Sequence, residues 1–168
     1  FTSMGITGVT IGMTGEAAVN PQIPDVTIPF TMCHEMAHRM SIVTERDANF
    51  AGFLACSYNP DAEFQYSAYF MAYRYCYNAL ASANATESMK KVSAGVNEYF
   101  YQDLKAYDSF FAQKKNDIAT QVATTVNDGY IKVNGDDRGV ASYGGVCDLL
   151  VNWHIQTVVI PSQQQEEI

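Results

Sequence analysis

No run of about twenty apolar side chains occurs in the 168 residues and no signal peptide opens them, so they contain no membrane-spanning helix. The chain also lacks an initiator Met and starts at Phe1. A processed fragment is expected, with any membrane anchor lying ahead of Phe1. Basic residues are scarce: 10 Lys and Arg stand against 18 Asp and Glu, for a formal net charge of −8. With no basic patch, neither nucleic acid nor an anionic membrane surface is expected as a partner. Cysteine is sparse and scattered, and Cys33, Cys56, Cys76 and Cys147 make no C-x-x-C pair. A domain of this size needs no disulfide framework, so four thiols packed as small apolar side chains are expected. Charged residues make up only 17% of the chain against 48% apolar, a balance that a disordered chain does not have. Histidine is rarer still. There are three, and two stand four residues apart around a glutamate in "TMCHEMAHRM", residues 31–40.

The length suits one domain with a real core, and neither an internal repeat nor a domain boundary is visible. The 11 Tyr and 9 Phe suit half-buried positions where a ring packs and a hydroxyl finds a partner. In the first thirty residues, "MGITGVTIGMTGEAAVN" alternates Gly and Thr with Ile and Val, which predicts two or three brief strands. The prolines of "PQIPDVTIPF" predict an extended connection ending at Pro29. Helices are then predicted over 30–41, from the Thr44 cap to Asn59-Pro60, over 62–83, over 86–114 as one or two, over 116–132, and over 139–157. "NGDDRG" marks the stop of the helix over 116–132, and the last helix carries Val146, Leu149, Leu150 and Trp153 on one face. The expected architecture is a mainly α (α+β) single domain over 1–160. It is a helical bundle with a small N-terminal sheet beside the histidine helix, followed by a polar tail over 161–168.

His34 and His38 leave the same face of a helix and can reach one ion. Neutral imidazole suits Zn²⁺, and Glu35, beside the first ligand, is placed to take a proton from a water activated by the metal. H-E-x-x-H also arises by chance in helical proteins, so a third ligand decides the matter. Glu45 lies seven residues past His38, roughly 10 Å further along a continuous helix, too far to share the metal. The helix must therefore end near Ser41, and the Thr44 cap independently predicts that turn, placing Glu45 in the first turn of a new helix. Asn49, four residues on, faces the same way and can orient a ligating histidine through its second nitrogen.

"HEMAH" followed by "ERDAN" resembles the gluzincin metallopeptidases, in which the Glu of E-x-x-x-D/N is the third zinc ligand. More closely, "GITGV", "TGEAAVN", "IPFTMCHEMAHRM", "ERDANFAGFLAC", "FQYSAYFMA" and "SYGGVCDLLVNW" resemble a bacterial, membrane-anchored family known as domain of unknown function 3810. The resemblance runs from about residue 4 to 153. It implies a zincin-like fold, hydrophobic spans ahead of this domain, a membrane-anchored whole and an extracytoplasmic soluble portion. Ser41 stands where the family often has Gly, and Gly145 where it usually has Arg. The first bears on the turn that delivers Glu45, and the second removes a charge near the cleft.

A zinc peptidase also needs a donor for the oxyanion, typically Tyr or His. The candidates are Tyr66, Tyr69, Tyr143 and His154, with Tyr143 preferred. The edge of the strand in "MTGEAAVN" can bind an extended peptide. Asn84-Ala85-Thr86 matches a glycosylation acceptor by chance, and Lys90, Lys91, Lys114 and Lys115 are solvated helix faces. The expected function is a zinc-dependent metallopeptidase acting on a peptide or protein, with His34, His38 and Glu45 as ligands and Glu35 as general base. The alternatives are a non-catalytic zinc-bearing domain that binds peptides or proteins through the same cleft, and a metal-free helical module in which the histidines merely pack.

Overall fold

Of the expected two or three strands, the structure, a computed structural model that describes residues 6–114 and 143–162, has two: β1 (Gly8–Ile11) and β2 (Glu16–Val19). They pair antiparallel, from Gly8 opposite Val19 to Ile11 opposite Glu16. Gly15 closes the hairpin at φ +69°, a conformation other residues rarely adopt. Because side chains alternate across a sheet, Gly8, Thr10, Ala17 and Val19 share one face, and there Gly8 and Thr10 meet Glu35 of the first helix.

That helix, α1 (Ile28–Arg39), starts two residues earlier than the prolines suggest. Pro29 lies inside its first turn, where a missing N–H costs nothing because the first amides have no intrahelical partner. The end of α1 is built by hydrogen bonds from Ser41 N–H to the His38 carbonyl (2.9 Å) and from Ile42 N–H to the Ala37 carbonyl (3.1 Å). Ser41 is left-handed at φ +69° between them. This is the Schellman stop, made here with Ser where Gly is usual. α2 (Glu45–Ser57) follows at once, and Thr44 accepts a hydrogen bond from Asp47 N–H (3.2 Å), as its sequence predicts.

α3 (Ala62–Ser82) ends in a second stop of the same design, with Asn84 at φ +53°. The Asn-Ala-Thr triplet thus has a structural job. The stretch 86–114 is two helices, α4 (Thr86–Ala94) and α5 (Glu98–Lys114), and Asn97 accepts from Phe100 N–H at the start of the second. α5 joins α3 through Phe100, which meets the rings of Tyr66, Phe70 and Tyr73. Arg74 adds an ion pair with Asp108 (2.9 Å) and stacks over Tyr107. α6 (Tyr143–His154) packs on α2 and α3. The helix expected over 116–132, its stop at "NGDDRG", residues 139–142 and the tail from 163 lie outside the described residues. No helix among the described residues is long and apolar enough to cross a membrane.

The chain is thus mainly helical with one small antiparallel sheet. Its core lies where α1, α2, α3 and α6 meet and holds Phe30, Phe53, Cys56, Ala68, Tyr75, Val146 and Leu150, with Trp153 packed against it. All four cysteines are free thiols. Cys56 donates to the Phe64 carbonyl, and the sulfurs of Cys76 and Cys147 are 3.5 Å apart. Ser67, fully buried on α3, accepts from Phe30 N–H (3.0 Å) and donates to the Val26 carbonyl, clamping the start of α1 to the bundle. Ser67→Ala strands both groups and is expected to cost about 1–3 kcal/mol, read as a lower urea midpoint at unchanged slope.

Candidate metal centre

The stop at Ser41 brings Glu45 back onto the histidine pair. His34 and His38 point their Nε2 atoms at one spot, 3.1 Å apart. Glu45 Oε2 is 3.4 Å from His34 Nε2, and Glu45 Oε1 is 3.4 Å from His38 Nε2. Three donors about 2.0–2.1 Å from one ion, at tetrahedral angles, stand about 3.3 Å from one another. The two histidine nitrogens stand close to that separation, and Glu45 meets each of them with a different oxygen, so the three side chains are near enough to share one ion. Among the described residues these three are the group of His, Cys, Asp and Glu side chains close enough to share a metal.

The two histidines differ in what their other nitrogen meets. His38 Nδ1 donates to the Ile42 carbonyl (2.8 Å), which fixes the tautomer and leaves the Nε2 lone pair for the site. The same turn residue thus ends the helix and orients a ligand. His34 is gripped by the stacked ring of Phe30 and by Asn49, which is almost fully buried. Asn49 Oδ1 accepts from Tyr75 (2.9 Å). His34 Nδ1 and Asn49 Nδ2 are both buried without a hydrogen bond of ordinary geometry. Of the Asn49 amide beside His34, only the oxygen that Tyr75 already holds can accept a hydrogen bond from an Nδ1–H, since Nδ2 is itself a donor.

The buried groups of this cluster shift one another's titration. Burial drives His34 down to about 4 against the pull of Glu45, and His38 lowers it further. Burial also acts to lower His38, but hydrogen bonding and charge from Glu45, with help from Ile42 and Glu35, outweigh it and raise the group above its ordinary value. For Glu45 burial works upward, and the two histidines prevail and lower it.

Glu35 is buried, with 5% of its surface exposed, beneath β1. Burial raises its carboxyl, while a hydrogen bond from Thr10 Oγ1 to Oε2 (2.8 Å) and the charge of His38 pull it back. The Thr10 hydroxyl is also 2.9 Å from the Glu35 main-chain oxygen, so it has two acceptors on one residue.

Of the oxyanion candidates, Tyr66 donates to Asp103 (2.6 Å), and Tyr69 is exposed with its ring edge-on to Phe53. His154 is exposed at the end of α6. Tyr143 opens α6, and its side chain lies outside the described residues. Gly145 is buried in the same first turn.

Sequence reasoning missed Thr10, Gly8, Ile42, Tyr75 and Gly52. Only Gly52 carried a signal, since a glycine inside a helix marks a close approach. A Cβ at Gly52 would stand 3.2 Å from both the Cα and N of His34, so its absence lets α2 press against α1 at the first ligand. Backbone cannot yield as a side chain does. Gly52→Ala is therefore expected to push Glu45 off the histidines and weaken zinc binding by about tenfold or more, read by chelator competition with helical content unchanged.

Residues 1–151 match the family described as protein of unknown function (DUF3810). No curated protein and no solved structure matches the chain. The family match spans most of the sequence, and the chain belongs to the DUF3810 family.

Proposed function

We propose that this domain is a zinc-dependent metallopeptidase of the gluzincin type with a zincin-like fold, in which His34, His38 and Glu45 hold the metal and Glu35 is the general base. The observation that carries the reading is the convergence of two histidine nitrogens 3.1 Å apart with the Glu45 carboxylate, which sets one oxygen 3.4 Å from each of them, beside the buried Glu35 carboxylate. When bound, zinc supplies a Lewis acid that acidifies water and polarises a peptide carbonyl. Glu35 takes the proton of the attacking water and returns it to the departing amine. Its burial suits this work, because a carboxylate raised above its ordinary range accepts a proton more readily. The Ile42 carbonyl holds His38 through Nδ1, which keeps its Nε2 aimed at the site, and the Phe30 ring stacks on His34. The hairpin lies against α1, and each of its two strands has one edge unpaired in the sheet, where an extended peptide can add main-chain hydrogen bonds.

Metal analysis of protein purified without chelator tests the ligand set. The expected result is about one zinc per chain in the wild type, lost or sharply reduced in His38→Ala and Glu45→Ala. Glu35→Gln is expected to keep zinc and lose about 10²–10⁴-fold in turnover of a peptide library. Full turnover in that variant would remove Glu35 from the mechanism. A wild type that holds zinc yet cleaves nothing would favour the non-catalytic binding domain. Because His38 must surrender a proton that Glu45 helps it keep, zinc affinity is expected to fall about tenfold per pH unit below the raised His38 value. That decline begins above the ordinary histidine range, and competition titrations at several pH values read it.

A further inference from the structure

We propose that Thr10 and Gly8, on the face of β1 that covers α1, are positioning residues for the Glu35 carboxylate, one by a hydrogen bond and the other by having no side chain. The inference deepens the peptidase reading and rests on it for its kinetic consequence. Its structural content stands apart.

The two residues act on different oxygens. Thr10 donates to Oε2 at 2.8 Å across 25 residues of sequence. Gly8, two residues back on the same face, leaves space that Oε1 fills: a Cβ built there would lie 2.5 Å from Oε1, 2.7 Å from Cγ and 2.8 Å from Cδ. Those separations are far inside van der Waals contact, so any larger residue at position 8 moves the carboxylate. Oε1 has no protein hydrogen bond among the described residues, which leaves it to water and substrate. A glutamate has three side-chain torsions, and burial alone does not choose among its rotamers. The strand makes the choice by tying one oxygen and making room for the other.

The hydroxyl also bonds the Glu35 main-chain oxygen at 2.9 Å, so Thr10 is fixed to the helix itself. The strand and the base therefore keep their register while a peptide pairs with the sheet. Pre-positioning of this kind matters to rate because a misplacement of about 1 Å can cost about 10²-fold.

Thr10→Val keeps the shape and removes the hydroxyl, Thr10→Ser keeps the hydroxyl and trims a methyl, and Gly8→Ala tests the space. Crystal structures, zinc content, kcat and KM of all three are compared with wild type. For Thr10→Val the expected result is about one zinc per chain, a Glu35 side chain displaced from its wild-type rotamer, and a kcat lowered about 10–100-fold with KM within about twofold. Thr10→Ser should return the rotamer and most of the kcat, and Gly8→Ala should displace Oε1. A Thr10→Val protein with Glu35 in place and full kcat would overturn the proposal, as would a Thr10→Ser protein as impaired as Thr10→Val, which would make the loss one of packing. A zinc-loaded wild type that cleaves no peptide defeats the peptidase reading instead, and the Glu35 rotamers in the crystal structures then decide the positioning claim by themselves.

Discussion

Everything at this centre depends on a chain reversal of five residues between two helices. An α-helix places His34 and His38 on one face, but it carries position 45 out of reach. Only by stopping α1 at Arg39, turning through Ser41 in the left-handed region and restarting at Glu45 does the chain return a carboxylate to its own histidines. A non-glycine residue in that region costs on the order of 1–2 kcal/mol, which the two carbonyl caps of the stop and the Thr44 cap offset. The same turn aims the Ile42 carbonyl at His38 Nδ1. One local geometry thus delivers a ligand and fixes the tautomer of another. Ser41, where the resembling family often carries Gly, does not prevent the turn; it leaves it strained.

What the sequence made legible at this centre is what is encoded locally. The histidine pair, the Thr44 cap, the need for a reversal and the alignment of Asn49 with Glu45 all follow from spacings of a few residues, and the structure has each of them. The sequence places the start of α1 two residues late, because Pro29 resembles a breaker from either side, whereas in a first turn it is tolerated. The pattern over 86–114 fits one helix or two, and the structure has two, divided near Gly95. The contacts that hold Glu35, Asn49 and the start of α1 reach from Thr10, Tyr75 and Ser67, across 25, 26 and 37 residues. "GVTI" reads as any short strand, and nothing in it names the carboxylate it will meet. Long-range partners of this kind are set by packing, and packing is not written in a periodicity.

Burying two imidazoles and two carboxylates in one corner is costly, since each charged form loses water that the protein must replace. The arrangement meets that cost unevenly. Burial lowers His34, Glu45 raises His38 against its burial, and Glu35 is supported by one hydroxyl. A cation among the three donors would answer the same charges more fully than a proton on one of them. Binding to the native form alone also stabilises the fold in proportion to the logarithm of ligand concentration over its dissociation constant. If the cluster holds the proposed ion, its stability and its chemistry are linked.

The sheet shows the same linkage from the other side. A two-stranded hairpin is marginal in water by itself, and this one is held by laying a face of small residues, Gly8, Thr10, Ala17 and Val19, over α1. Thr10 reaches through that interface to Glu35, so the proposed base is also one of the hairpin's anchors. Removing the side chain with Ala would cut the anchor and the chemistry together, and a loss of activity would then say little about either. A glutamine at position 35 keeps an acceptor oxygen for Thr10 and nearly the same volume for Gly8 to accommodate, while it can no longer take a proton. The hairpin should remain seated on such a variant. The geometry around Glu35 therefore makes glutamine, rather than alanine, the substitution that separates what the residue holds in place from what it does.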